Sequence, residues 1–542
     1  MKYTLYFKAA LRVVYVHVRA TLSDIKYRLT QLEMIAVYEN YLHKIKKTRN
    51  TLQKEDISKS KIVLADNFPI PEWCIINGAI AEQINQEFNS IFKVFGHRAP
   101  QKNTVKEMSF LGQFTFLKIK LTFSQSLIRL KMLYKIFIDI KDADDVINFE
   151  IDGINVGLDV YESTLRLGYS TVNLSNIDLY KVFYQAITQY LFFKPMFESN
   201  HIIACLLSHD NYVGPGLVAK MGYKFKVPVI LANPYEINII TKPFENYQRY
   251  QRYKEYFSIL RDEIKITARL ESKIALQKRL TGKVGIGMNY QIKSAFENLE
   301  IPRQTDLTVK KKILILTHDY FDNPHGYSRL PFRDFWEWLK FLSKISLESD
   351  YEWYLKCHKD HSQIEMDETQ RFTKENTRFK LIDANTSFHQ LAAEGIDLAL
   401  TCFGTVGHEL PLLGIPVLNA SYNPHIAYNF NIHAKSLEEY RNILLDSSRW
   451  KLDLSSFDEL FEFYYVHYSM MHNEKFIFND FSQYLKLTKS ERINYLEINK
   501  GAIIKKTKVE FSDAVANKRK FSIEKCLPIN NQDKFPNNFF IQ

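Results

Sequence analysis

The chain has no cysteine pair at C-x-x-C spacing; its five cysteines, Cys74, Cys205, Cys357, Cys402 and Cys526, are scattered. Their scatter excludes a disulfide framework and a cysteine-rich zinc site, and it points to a reducing compartment. No charge-free apolar run reaches the roughly 18 residues a membrane-spanning helix needs. Lys8, Arg12 and Arg19 interrupt every apolar stretch near the N-terminus, so no signal peptide is expected and a cytoplasmic location is. Acidic residues are the minority charge, 61 Asp+Glu against 72 Lys+Arg, which leaves +11. That excess suits an anionic substrate, an anionic membrane surface or nucleic acid, but no nucleic-acid-binding signature is present. Internal repeats of fixed period are absent too.

What is present fills large cores. At 542 residues, 46% hydrophobic and 14% aromatic, the chain predicts two domains with appendages. Residues 1–55 contain neither Gly nor Pro and read as a basic helical extension, with Lys8, Arg12, Tyr15 and Arg19 on one face. Such a helix can lie on an anionic membrane or dock on its own domain with its charges in water. Lys61–Ala65 is the first strand-like run, followed by a loop to Pro71 and a helix placing Ile76, Ile80, Ile84 and Phe88 on one face. Lys118–Phe123 and Lys135–Ile140 read as strands or buried helix. Ile202–Leu207 is a buried strand ending in Ser208-His209-Asp210, and Val227–Leu231 is the next. A polar, basic linker over Thr305–Lys312 precedes a second β–α series that opens at Ile313. The expected division is an extension over 1–55, one α/β domain over 56–304, a second over 305–450, and a helical segment with a loosely ordered tail over 451–542.

The most informative stretch is Asp383–Ala420. Thr386 and Ser387 are N-cap candidates for a helix carrying Phe388, Leu391 and Ala392; Ile396–Leu400 is strand-like. Phe403–Gly407 then makes a tight turn, a second helix begins near Thr405, and Gly414–Leu418 ends it and opens another strand. A small-residue turn at the carboxyl edge of a doubly wound sheet can present backbone N–H groups to a phosphate, or can simply pack tightly.

Gly404-Thr405-x-Gly407-x-Glu409, followed by Gly414-Ile415-Pro416-Val417, resembles the donor-site segment of GT-B-fold glycosyltransferases, in particular those of bacterial capsule and surface-polysaccharide synthesis. Asp152–Arg166 resembles a second segment of the same proteins. The resemblance implies an α/β fold of two Rossmann-like domains facing a cleft, with helical N- and C-terminal extensions. It implies a nucleotide-sugar donor on the second domain and no obligatory metal or cofactor. Gly404, Thr405 and Gly407 would hold phosphate and Glu409 the ribose, with Asn423 and His425 on the donor side. His318, His325 and Arg329 would touch the donor or the transferred sugar, and Arg166 an acidic acceptor. Relatives carry K-P-H-P where this chain has Lys356-Cys357-His358-Lys359, so Lys356 and His358 are donor contacts on a loop lacking both prolines.

Sugar transfer needs a base at the acceptor hydroxyl. His209 and Asp210, at a strand end of the first domain, are the candidates; Asp66 and Glu72 are alternatives. The expected function is a glycosyltransferase moving a sugar from a nucleotide donor, of base unread, to a surface glycan or lipid-linked acceptor. A polyol-phosphate transferase, a nucleotide-sugar epimerase and a non-catalytic scaffold of a polysaccharide assembly complex stand as alternatives.

Overall fold

A computed structural model of the chain describes residues 8–23, 61–96, 105–243, 245–283, 293–297, 299–326, 330–471 and 475–524. It is α/β and divides into two compact units, each built on a six-stranded sheet. Arg329, Cys526 and the segment 24–60 lie outside the described residues.

In the first unit, helix α1 (8–23) precedes strand β1 (Lys61–Asp66), helix α2 (Pro71–Phe88) and strands β2 (Ser90–Phe95) and β3 (Thr115–Phe116). Helices α3 (Phe123–Asp139) and α4 (Ile177–Glu198) follow. Strand β4 (Ile202–Leu207), helix α5 (Leu217–Phe225) and strands β5 (Val229–Asn233) and β6 (Glu236–Ile240) complete the sheet. Its order is β3-β2-β1-β4-β5-β6, parallel except for β6. Ile62, Val63 and Leu64 are all buried, as a parallel strand covered on both faces requires. Pro71 takes the first position of α2, where its missing N–H costs nothing. The ambiguous run around Lys118–Ile140 resolves as helix from Phe123: Thr122 and Gln125 form a reciprocal capping box that starts it. Gly78 is required by close packing, since a Cβ there would stand 2.7 Å from the Leu111 carbonyl oxygen.

The second unit carries helix α6 (Asp262–Leu280), strand β7 (Lys312–Leu316), helix α7 (Phe335–Ser346) and strands β8 (Glu352–Lys356) and β9 (Phe379–Ile382). Helix α8 (Phe388–Ala393), strand β10 (Leu398–Thr401), the single turn α9 (Val406–Glu409) and strands β11 (Val417–Asn419) and β12 (Ile432–His433) follow. The order is β9-β8-β7-β10-β11-β12, parallel throughout. The helix–strand–turn–helix–strand series expected over Asp383–Ala420 is present, with Ser387 as the cap, accepting the Gln390 N–H at 3.1 Å.

The division of the chain differs from the expected one. The first unit ends at Pro243 and regains Glu474–Ile529, while Leu165–Thr171 and Phe244–Asn473 belong to the second. Packing explains both shifts. Tyr253, Phe257 and Leu276 share a core with Leu460, Phe463 and Tyr464, so the helices after 244 leave the first unit. Ile493, Leu496, Ile503 and Phe511 share a core with Ile76, Ile80 and Ile84 of α2. The expected loose tail after 496 is corrected by the same contacts: a helix runs over Lys489–Glu524. Among the described residues, no helix is long and apolar enough to cross a membrane.

Candidate functional site

In both sheets the first and fourth strands lie side by side with their connections leaving in opposite directions, the place where α/β sheets bind ligands. Each unit gathers ionisable groups there.

In the second unit, His318 follows β7 and lies against the end of β10. Thr401 Oγ1 accepts the Gly404 N–H at 3.1 Å and lies 3.0 Å from His318 Nε2. His318 Nε2 accepts the Cys402 N–H at 3.2 Å. The lone pair of Nε2 is therefore spent, and Nδ1 carries the hydrogen. Burial, with repulsion from His358, pushes the imidazole down to about 4, so it is neutral at pH 7. His318, expected to touch the donor or the transferred sugar and to serve among the catalytic groups, thus offers a hydrogen-bond donor at Nδ1 rather than a base at Nε2. The ring stacks on Phe335 at 4.9 Å, which fixes its plane.

The turn beyond Thr401 is partly exposed over Phe403–Val406. Gly404 N–H is taken by Thr401, and Gly407 N–H by the Gly404 carbonyl at 3.0 Å. The two glycine amides expected to hold phosphate are thus used internally. Among the described residues, the Thr405 and Val406 amides have no acceptor. Gly407 has a packing reason, since a Cβ would stand 2.5 Å from His425 Cε1. Glu409, expected on a ribose, is buried and ion-paired with buried Arg279 of α6.

Lys356 is 2% exposed, its ammonium bonded to the Ala384 carbonyl at 2.8 Å and 5.2 Å from the Phe388 ring centre. It lies beneath the surface rather than on it, which corrects its assignment as a direct donor contact. The His358 residue is exposed, but its ring loses enough water, with Lys356 adding and Asp360 opposing, to lower its pKa. Asn423 and His425 are corrected to structural roles. Asn423 accepts the His425 N–H at 2.9 Å and donates to the Ser421 carbonyl at 2.8 Å; His425 is buried against Phe463 and 3.1 Å from His408 Nδ1. His325 is buried too. Arg166 is exposed and paired with Asp322 at 2.9 Å, an arrangement that needs no acceptor.

In the first unit, Asp66 at the end of β1 faces Ser208 and His209 at the end of β4. Asp66 Oδ1 accepts the Ser208 N–H at 3.0 Å, its other oxygen contacts Ser208 Oγ, and that hydroxyl lies 2.6 Å from His209 Nδ1. Burial, partly offset by the Ser208 bonds, lifts Asp66 to about 6. Phe68 and Tyr212 meet the imidazole edge-on at 5.8 and 5.6 Å. Tyr212 sits at φ +65°, a conformation rare for aromatic residues. Asp210 accepts from Tyr223 Oη at 3.2 Å, and burial raises its pKa. Glu72 is buried and accepts from Tyr484 Oη at 3.0 Å, so it anchors the returning C-terminal segment.

No protein-family model matches the chain, and no curated protein matches it. Similar solved structures include Thermosulfurimonas dismutans KpsC, a beta Kdo 2,4 transferase, at 13% identity, covering 49% of this chain and 79% of that one, with a TM-score of 0.31. Thermobaculum terrenum O-GlcNAc transferase, as a mutant, matches at 11% identity over 85% and 71% of the two chains, with a TM-score of 0.26. Neisseria meningitidis UDP-GlcNAc 2-epimerase bound to UDP-GlcNAc matches at 12% identity over 75% and 98%, with a TM-score of 0.20. Scores this low carry no weight. The α/β assignment stands on the two sheets themselves.

Two site residues have no local signal in the sequence. Arg279 lies in a basic helix end, Lys278-Arg279, with nothing nearby to mark it as Glu409's partner. Ser208 reads as an ordinary strand-end serine until Asp66 is placed beside it. Lys356 gives a direct test of burial. Desolvation first, then repulsion from Lys359, lowers its pKa from 10.5 to about 8. The unfolded chain then binds more protons between those two values, so Lys356 makes stability rise with pH across that window and costs stability below it. Lys356→Met is expected to remove that slope and stabilise the protein by about 1–3 kcal/mol near neutral pH, allowing for the lost carbonyl bond. Guanidinium denaturation at roughly neutral and at alkaline pH measures it; a variant less stable than wild type at neutral pH contradicts the assignment.

Proposed function

We propose that the chain is a glycosyltransferase of bacterial surface-polysaccharide synthesis, transferring a sugar from a nucleotide-sugar to a glycan or lipid-linked acceptor. One observation carries this reading: two Rossmann-like sheets of the same strand order each collect polar groups where the first and fourth strands meet. His209 supplies the base. The partly exposed Phe403–Val406 turn, the Nδ1–H of His318 and the exposed His358 receive the donor phosphates, with the buried cations Lys356 and Arg279 behind them. Full-length protein is to be screened by thermal shift against CMP-, UDP-, GDP- and CDP-linked sugars, with nucleotide release and product mass measured for every hit. A donor at about a hundred times its Kd stabilises by about 2.7 kcal/mol. No shift with any donor and no released nucleotide overturns the reading, and an isomerised free sugar nucleotide replaces it with the epimerase.

Contact with an anionic membrane belongs to the same proposal. Ala9, Val13, Val16 and Ala20 bury one face of α1, while Leu11, Val14, Val18 and Leu22 on the other are each at least half exposed. Phe123, at the start of α3, is 81% exposed. Lys8, Arg12, Arg19, Lys118, Lys120 and Lys131 lie in the same segments, where Asp139, ion-paired with Lys135, is the first acidic residue after Phe123. Apolar side chains within a basic surface suit an acidic bilayer. Binding to phosphatidylglycerol-containing vesicles is expected, weakened at least about tenfold by Val14→Ser with Val18→Ser and Phe123→Ser. Equal binding to neutral phosphatidylcholine vesicles, or none to either, contradicts it.

A further inference from the structure

Where β1 and β4 end, a single hydroxyl stands between a carboxylate and an imidazole. A serine hydroxyl owns one hydrogen. Asp66 Oδ1 is committed to the Ser208 N–H, and its other oxygen faces Ser208 Oγ. Above its pKa of about 6, Asp66 is charged and can only accept. The hydrogen of Ser208 therefore goes to the carboxylate, since the charge-assisted bond is the stronger one. Oγ is left with lone pairs toward His209 Nδ1 at 2.6 Å, and that nitrogen must be the protonated one.

We propose that Asp66 and Ser208 are positioning residues that hold His209 as its Nδ1–H tautomer, which makes Nε2 the basic nitrogen. This rests on the reading of His209 as the base for sugar transfer. In that step the acceptor oxygen bonds to the anomeric carbon as the bond from that carbon to the phosphate oxygen breaks. The nucleotide leaves with the electron pair, and the acceptor's proton moves to Nε2. The imidazolium keeps its Nδ1–H on Ser208 Oγ, and the Asp66 charge stabilises it through the shared hydroxyl. Asp66 itself never takes the proton. Nε2 then releases it to water.

The same geometry predicts an inversion. In Asp66→Asn the amide oxygen must stay on the Ser208 N–H, so the amide nitrogen faces Oγ and donates to it. The serine hydrogen is then driven onto His209 Nδ1, and Nε2 becomes the protonated nitrogen. Nitrogen-15 shifts of histidine-labelled full-length protein, with the His209 signals assigned through His209→Gln, read the tautomer without any substrate. Expected is Nδ1–H in wild type and in Ser208→Thr, Nε2–H in Asp66→Asn, and a mixture in Ser208→Ala. Turnover should fall roughly tenfold in Ser208→Ala and recover in Ser208→Thr. An Nε2–H tautomer in wild type, or an unchanged one in Asp66→Asn, overturns the proposal whatever the chain catalyses. The expected tautomers in a protein that turns over no nucleotide-sugar leave the relay standing and remove the transferase.

Discussion

His209→Gln is expected to lower kcat for sugar transfer by roughly 10²–10⁴-fold, the range a positioned general base supplies. Glutamine nearly fills the imidazole's volume and can still hydrogen-bond an acceptor hydroxyl, but it cannot take a proton. KM for the nucleotide-sugar should stay close to wild type, because the residues proposed to receive the donor do not include His209. Asp210→Asn should cost far less: Asp210 is held by Tyr223 and stands beside Lys220, Glu162 and the Asp159–Lys220 ion pair, an environment that a neutral amide tolerates. Initial rates with saturating donor, alongside unchanged circular dichroism, decide the matter. Retention of full activity by His209→Gln would remove the base assignment, and retention of polysaccharide output in cells by both variants would favour the scaffold.

Arg279→Met is expected to destabilise the protein by about 3–5 kcal/mol, the cost of leaving one member of a buried ion pair unpartnered. The pair joins α6 to the turn α9 with both side chains buried, so Glu409 would have to lose its charge or pull water inward. Adding Glu409→Leu should restore most of the loss, because two apolar side chains packed together avoid the desolvation that either charge alone incurs. Guanidinium denaturation of the two single variants and the double gives the coupling directly. A single variant as stable as wild type would show that water reaches the pair. The comparison also separates stability from ligand binding, since a double variant that is stable yet fails to bind donor would show that the pair serves the donor as well as the fold.

Several local features of the chain are legible because their causes are local. Ser387 caps α8 through a residue three positions on, and Pro71 opens α2. Such contacts span one turn, so residue spacing alone exposes them. The Ser436-x-x-Glu439 spacing predicts a reciprocal capping box and only half of it forms: the Ser436 hydroxyl accepts the Glu439 N–H at 3.0 Å, but Glu439 turns to the Lys435 N–H. The Gly404–Glu409 turn was found at the right edge of the right sheet. Its glycine amides are taken by acceptors three residues back, Thr401 and the Gly404 carbonyl, while the partner of its carboxylate, Arg279, comes from a helix 130 residues earlier.

By itself the sequence determined the central strands β1, β4, β5, β7, β10 and β11, several helices, the presence of two α/β halves and the strand ends where polar groups gather. Apolar run length, glycine and proline placement and capping residues act within a few positions and leave a local record. Tertiary structure alone decided which half each helix joins and which ionisable groups meet. Tyr484 reaches Glu72 across 412 residues, Ser208 reaches Asp66 across 142, and Arg279 reaches Glu409 across 130. A charge or a hydroxyl takes its role from the group placed a few ångströms away, and only the folded backbone supplies that group.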